Sequence, residues 1–401
     1  MAKTFITDSL TGSRIPFLRG ILIRSLQDSG LPFDKAYEIS SLARDGLSLT
    51  RRTEFQSMEL REIVVDLLAK DGFFDIIARY SDRSLPAEPI AIIERDGTSS
   101  GFSTSDNRRL LESCGLTSDE SMLVIGKLKD SLAQENRREL SATLLGYRVY
   151  QILKNEFGPP YDQNYLVWKN FQQSGKPLLL LIGGATGSGK STIATEIAHS
   201  LDIVRTQSTD MLREVMRIML PPGLLPILHV SSFNAWQTLP RVRSIVGRPS
   251  DSLLIDGYSM QAKLLATSCE AVINRALKER VSLILEGVHV EPNLLQKIPP
   301  AADAAVVMIM LAVLKQEQLK KQLVGRGDQA PARRARRYLK NFSEIWAIQS
   351  NLLAEADRCQ VPIVINDNKE LVIGKIMKII VATLRKDFST TAEELFGIPT
   401  R

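Results

Sequence analysis

Gly184-Ala185-Thr186-Gly187-Ser188-Gly189-Lys190-Ser191 fits the pattern G-x-x-x-x-G-K-[ST], with Thr192 ending the run "LLLLIGGATGSGKST". It sits where its chemistry requires, directly after an apolar run that reads as a buried strand and directly before a helical pattern. Glycines there let backbone N–H groups turn inward around phosphate oxygens, and the helix start adds partial positive charge. Lys190 would reach the β and γ phosphates of ATP, and the Ser191 hydroxyl would bind Mg²⁺. Kinases, motors, switches and regulators all hold ATP in this way, so other residues must decide the class.

In an open parallel sheet, ligands gather beyond the carboxyl ends of the strands. "QSTDMLREVMR" follows the second candidate strand, which places Asp210 at its exit and Arg213 one helical turn on. Such a pair could orient an acceptor hydroxyl and clamp an anion, or it could be a helix-capping Asp beside a solvated Arg. Glu286 closes "LILEG", where a carboxylate could hold the Mg²⁺ shell through water or serve as a structural hydrogen-bonding group. His289, three residues later, and His229, in "LLPILHVSSFNAW", are candidates for the acceptor side, although a lone histidine is often structural. Arg326, Arg333, Arg334, Arg336, Arg337 and Lys340 form the densest basic cluster, interrupted by "GDQAP". As a lid these guanidinium groups would neutralise charge on a transferring phosphoryl group and exclude water; a solvated basic face or a nucleic-acid patch is the other reading.

The elements that must position these groups follow from hydrophobic patterning. After Trp168, short apolar runs alternate with helical patterns, which signals an α/β fold with helices around a parallel sheet. Candidate buried strands are "PLLLLIG", "IVRTQST", "VSLILEG", "AAVVMIML" and "VPIVIN". Helices are expected from Lys190 to about Leu201, around Met211 to Met219, from Ser259 to Glu279, on either side of "GRGDQAPARR", and over "ELVIGKIMKIIVATLRK".

Before Trp168 the chain repeats itself. "PFLRGILIRSLQDSGLPFDKAYEISSLARDGL" and "GFSTSDNRRLLESCGLTSDESMLVIGKLKDSL" align without a gap, so that Phe17 meets Phe102, Gly30 meets Gly115 and Leu47 meets Leu132. With small shifts the match runs on to Tyr80 and Tyr165, giving two mainly helical units in tandem. The expected organisation is 1–84, 85–168 and 169–401, two helical repeats followed by the sheet domain. Lys and Arg number 51 against 45 Asp and Glu, a net charge of +6 that favours anionic partners. Cys114, Cys269 and Cys359 are widely spaced, so neither a disulfide framework nor a zinc site is suggested, and a reducing cytoplasm fits. "AADAAVVMIMLAVL" is too short to span a bilayer and contains Asp303, so no membrane partner is expected. Interleaved aromatics and a nucleic-acid module are both lacking, so no nucleic-acid partner is expected either.

"IGGATGSGKST", "STDMLREVMR", "LLPILHVSSFNAW", "LILEGVHV" and "RYLKNFSEIWAIQ", in this order, resemble the 2-phosphoglycerate kinase family over the sheet domain. The resemblance implies a P-loop kinase fold and transfer of the γ-phosphoryl group of ATP, with Mg²⁺, to the free hydroxyl of 2-phosphoglycerate, giving 2,3-bisphosphoglycerate. Some relatives are linked to inositol phosphates, so another phosphorylated metabolite stays open as the acceptor. The tandem repeats resemble ATP-cone modules, which implies a regulatory adenine nucleotide there. "IERDGTSSGF" at 93–102 is similar to the cone's opening strand and turn, whereas "ITDSLTGSRIPF" at 6–17 lacks the basic-Asp-Gly core. A nucleotide-sensing regulatory ATPase is the alternative from another class. On the kinase reading Lys190, Asp210, Arg213, Arg326, Arg333 and Arg334 carry the transfer, Ser191 and Glu286 the metal, and Asp210, Arg213, His229 and His289 the acceptor.

Overall fold

The computed structural model of the chain describes residues 5–7, 14–17, 19–50, 52–81, 91–94, 96–134, 139–240, 249–299, 302–325 and 332–397. The chain divides into two compact units, Met1–Ile90 and Ala91–Arg401.

The first unit runs β1 (Phe5–Thr7), β2 (Arg14–Pro16), α1 (Arg19–Asp28), α2 (Phe33–Leu49), β3 (Glu54–Gln56), α3 (Ser57–Lys70) and α4 (Phe74–Ser81). Its sheet has the order β2-β1-β3, with β1 antiparallel to β2 and parallel to β3. Leu22, Leu26, Ile39, Ala43, Val64 and Leu68 form the core between its helices.

The second unit opens by repeating that plan with β4 (Ala91–Ile93), β5 (Ser99–Gly101), α5 (Thr104–Ser113), α6 (Ser118–Gln134), β6 (Glu139–Ser141), α7 (Ala142–Glu156) and α8 (Tyr161–Ser174). The strand order β5-β4-β6 and the antiparallel and parallel pairings are the same. Gly30 and Gly115 both take φ near +100° (99° and 106°), the turn geometry that favours glycine, and the aligned Leu47 and Leu132 are both buried. The internal duplication is thus structural as well as sequential.

The sheet domain follows with β7 (Leu178–Gly183), α9 (Lys190–Ser200), β8 (Arg205–Ser208), α10 (Thr209–Met219), α11 (Asp251–Glu279), β9 (Leu283–Gly287), β10 (Ala305–Ala312), α12 (Gln316–Gly325), α13 (Ala332–Lys340), α14 (Phe342–Arg358), β11 (Ile363–Ile365), α15 (Lys369–Phe388) and α16 (Ala392–Phe396). Short 3₁₀ turns occupy Pro226–His229, Ser232–Thr238 and Pro292–Lys297. All five strands are parallel, in the order β11-β10-β7-β9-β8. The central strands β7, β9 and β10 are covered on both faces, which is why they read as apolar runs broken only by Glu286 at the end of β9, while the edge strand β8 is the polar "RTQS". All five expected strands are present. Helix α11 begins at Asp251, eight residues before the expected Ser259, because Gly257 is a packing site and not a break: a Cβ there would lie 2.3 Å from the backbone nitrogen of Trp236. Helices α14 and α16 are elements beyond those expected.

The boundary read at 168/169 falls inside α8. Trp168 on that helix donates from Nε1 to the carbonyl of Ser113 (2.9 Å), and three residues on Phe171 meets Phe388 of α15 edge to face at 5.2 Å. Asn170 donates to the Phe388 carbonyl, and Arg385 of α15 donates to the side-chain oxygen of Asn164 (2.7 Å). On α7, a Cβ at Gly146 would lie 2.7 Å from the Phe396 ring of α16. The second repeat and the sheet domain therefore share one packed body. Among the described residues no helix is long and apolar enough to cross a membrane, and Cys114, Cys269 and Cys359 are free.

Candidate active site

β7 is the central strand, with β9 and β8 on one side and β10 and β11 on the other, and the loop at its carboxyl end lies where chain connections diverge. Gly184, Gly187 and Gly189 there have φ of 142°, 88° and 88°. Their missing side chains matter for space as well as for conformation. A Cβ would lie 2.3 Å from the Leu311 carbonyl oxygen at Gly184, 2.5 Å from Leu323 Cδ2 at Gly187 and 2.4 Å from Asn366 Nδ2 at Gly189. The loop is thereby seated against β10, α12 and the turn after β11, and Asn366 Nδ2 donates to the Ser188 carbonyl at 2.8 Å. No side chain caps the first turn of α9, whose N–H groups and partial charge are those an anion takes. Lys190, buried, donates from Nζ to the Ala185 carbonyl at 2.8 Å. Ala185, Thr186, Ser191 and Thr192, expected with them at the phosphates, lie in the same loop and the first turn of α9.

Ser191 Oγ donates to Glu286 Oε1 at 2.9 Å, which brings together the two residues expected at the metal. Glu286 ends β9 and is buried. Among the described residues no group of three or more His, Cys, Asp and Glu side chains is arranged to hold a metal by itself. One hydroxyl and one carboxylate fit Mg²⁺, which keeps several waters and takes phosphate oxygens for the rest of its octahedron.

At the end of β8, Ser208 and not Asp210 caps α10, its Oγ accepting from the Asp210 N–H at 3.2 Å. The Asp210 carboxylate is left largely exposed, 3.9 Å from the guanidinium of Arg213. Arg213 is mostly buried, donates to the Val230 carbonyl at 2.5 Å, and has an Nε with no hydrogen-bond partner. His229 and Leu220 are joined by a 2.8 Å hydrogen bond from the ring Nε2 to the carbonyl, which ties the first 3₁₀ turn to the end of α10. His289 is 3% exposed and engaged at both ring nitrogens, by Thr209 Oγ1 (3.2 Å) and Gln261 Oε1 (2.9 Å). Burial pushes its pKa down to about 4, with the charges of Arg213 and Lys190 acting in the same direction and Asp210 against them.

From the basic cluster, Arg337 of α13 donates to Ser231 Oγ at 2.8 Å and lies 5.8 Å from the centre of the Phe233 ring, against which Tyr338 also packs. The end of α13 thus rests on the loop that carries Ser231 and Phe233. Arg326 lies outside the described residues; Arg333 and Arg334 are on α13, their side chains likewise outside what is described. Gln261 and Asn366 complete the surroundings, and neither stands in a pattern that the sequence marks.

A phosphate cradle at the central strand, a hydroxyl–carboxylate pair beside it and a carboxylate–guanidinium pair at the end of the edge strand define a phosphotransferase of the P-loop class. Residues 163–219 match the Zeta toxin family. A protein of Pyrococcus furiosus named 2-phosphoglycerate kinase is 33% identical over 290 residues, covering 72% of this chain and 92% of its own length. Proteins of the same name from Methanopyrus kandleri (32% over 286 residues, 71% and 85%) and Methanocaldococcus jannaschii (34% over 284 residues, 71% and 89%) match in the same way. The chain belongs to the 2-phosphoglycerate kinase family.

Proposed function

We propose that the chain transfers the γ-phosphoryl group of ATP to the free hydroxyl of 2-phosphoglycerate, giving 2,3-bisphosphoglycerate. The observation that carries this reading is the Asp210–Arg213 pair at the end of β8, two strands from the phosphate loop along one sheet edge, in a chain whose relatives bear that enzyme's name. Lys190 and the loop N–H groups, from Gly184 to Thr192, hold the nucleotide's phosphates. Ser191 and Glu286 hold Mg²⁺, which when bound supplies charge neutralisation at the phosphate oxygens. Asp210 orients the acceptor hydroxyl and takes its proton, and Arg213 recognises the anionic groups already on the acceptor. Arg337, with Arg326, Arg333 and Arg334 on the same segment, closes over the transferred group. His289 acts from behind the acceptor site, since both its ring nitrogens are engaged by the protein, and His229, bonded through Nε2, lies on the acceptor side. In the second repeat, the turn in which the Thr98 N–H and hydroxyl both donate to Asp96 is the candidate recognition point for a regulatory adenine nucleotide.

The test is a reaction of purified protein with ATP and Mg²⁺ against 2-phosphoglycerate, other phosphorylated sugar acids and inositol phosphates, with products read by mass spectrometry. Preferred formation of 2,3-bisphosphoglycerate is expected. ATP hydrolysis without any phosphorylated product would instead mark a nucleotide sensor. A second expectation concerns recognition: Arg213→Gln should raise the KM for 2-phosphoglycerate and leave that for ATP unchanged, by roughly 1.5 to 3 kcal/mol for a lost charge-assisted hydrogen bond. Arg213→Lys should recover only part, because an ammonium cannot reproduce the planar fork of donors. A defect confined to ATP would remove Arg213 from the acceptor site.

A further inference from the structure

We infer that His289 and Gln261 are positioning residues for the acceptor, forming a buried uncharged relay that fixes the Val230 carbonyl on which Arg213 is held. This rests on the reading of Arg213 as the acceptor's anion-binding group.

The relay is assembled from four separate stretches of chain. Thr209 opens α10, Val230 follows the first 3₁₀ turn of the acceptor loop, Gln261 lies in α11, and His289 lies two residues beyond β9. Thr209, Gln261 and His289 are all buried, where polar groups are tolerated only if hydrogen-bonded. The partners fix every orientation. Gln261 Nε2 lies 2.5 Å from the Ile227 carbonyl and 3.1 Å from that of Val230, and carbonyls only accept, so the amide nitrogen is turned toward the loop. Its oxygen then faces His289 Nε2, which must carry the ring proton. The bare Nδ1 accepts from the Thr209 hydroxyl. Protons therefore point one way along the chain, from Thr209 through His289 and Gln261 to the acceptor loop, and bonds so aligned polarise one another.

At the far end, one carbonyl takes two donors. Val230 accepts from Gln261 and from Arg213, whose contact there is its one hydrogen bond among the described residues. Its other guanidinium contacts, to Asp210 and Glu214, are at 3.9 Å, and its Nε has no partner. The direction of the guanidinium thus depends on where Gln261 holds the carbonyl. The charged groups acting on His289 are Asp210 and Arg213 from α10 and Lys190 from α9. Burial and the two cations hold the ring neutral, so the relay keeps its donor pattern while phosphates are bound and released. An imidazole so enclosed neither touches the acceptor nor exchanges a proton with it.

Steady-state kinetics of the full chain, with 2-phosphoglycerate and ATP varied separately and folding checked by thermal melts, tests the relay. Gln261→Met, similar in volume but without the amide donors, should raise the acceptor KM roughly tenfold and leave the ATP KM unchanged. His289→Leu should do the same, and His289→Gln, which keeps a donor toward Gln261, should recover most of the loss. Thr209→Val changes volume least and breaks only the far end; it should raise the acceptor KM about two- to threefold and serves if the larger changes do not fold. Adding Arg213→Gln to Gln261→Met should give no further rise beyond Arg213→Gln alone, because the effect passes through that guanidinium. Equal changes in both KM values, an additive double variant, or an unmoved acceptor KM in folded Gln261→Met or Thr209→Val would overturn the relay. If Arg213→Gln by itself leaves the acceptor KM unmoved, it is the reading of the acceptor site that fails.

Discussion

Lys190→Ala is expected to lower phosphoryl transfer by about 10² or more while the protein keeps its fold, the loss typical of removing a preorganised charge at a reacting phosphate. The lysine opens α9, and its ammonium lies against the Ala185 carbonyl inside the loop, where on the proposed function it would meet the phosphates without having to be drawn in from solvent. Water is largely excluded at this point, since the side chain is almost fully buried, so the charge acts through a lower dielectric than it would on the surface. Its contribution to the core is small by comparison. The loop itself is held by Asn366 and by the close seating of Gly184, Gly187 and Gly189 on their neighbours, none of which the substitution touches. Initial rates with ATP and 2-phosphoglycerate, beside a melting curve, decide the matter. A folded variant with near-normal turnover would take the phosphate loop out of the reaction.

The central strands were legible because a parallel strand buried on both faces is apolar along its length, as in "LLLLIG", and the edge strands β11 and β8 because "IVI" is apolar despite its exposed Ile363 and Ile365 and the polar "RTQS" lies next to Ile203-Val204. The tandem repeat was legible through residues whose backbone or burial leaves little choice, among them the positive-φ Gly30 and Gly115 and the buried Tyr80 and Tyr165. The start of α11 was not, because a glycine within "LLIDGYSM" looks like a break until Trp236 is seen lying on it. The surroundings proposed for the acceptor were half legible. Asp210 and Arg213 stand one helical turn apart and declare themselves, whereas Gln261 is a single amide in a 29-residue helix whose partners, Ile227, Val230 and His289, lie about thirty residues away on either side. Spacing cannot signal a cluster assembled by tertiary packing. The histidines were visible as rare residues, but only their partners separate a group that holds a loop from one that would touch substrate.

The second large effect is expected at the boundary between helical and sheet parts. A chain of residues 91–401 should fold cooperatively and retain ATP turnover, whereas 169–401 should not fold stably. The longer piece is one compact unit, and the removed residues have a core of their own around Leu26, Ile39 and Val64. The shorter piece begins inside α8, leaving only its last turns. It would lose the Arg385 bond to Asn164 and the α7 surface on which Phe396 rests beside Gly146 and Tyr147. Phe396 is buried in the intact unit against α7, and exposing an aromatic of that size costs roughly 1.5 to 3 kcal/mol. That loss, with the neighbouring apolar surface of α16 and the lost Arg385–Asn164 bond, is a large share of the net stability of about 5 to 15 kcal/mol that a domain has to lose. Soluble yield, melting curves and phosphoryl transfer of the two pieces measure this directly. A soluble, cooperatively melting 169–401 would make the second repeat an accessory module, and a folded but inactive 91–401 would bring the first unit into the active site.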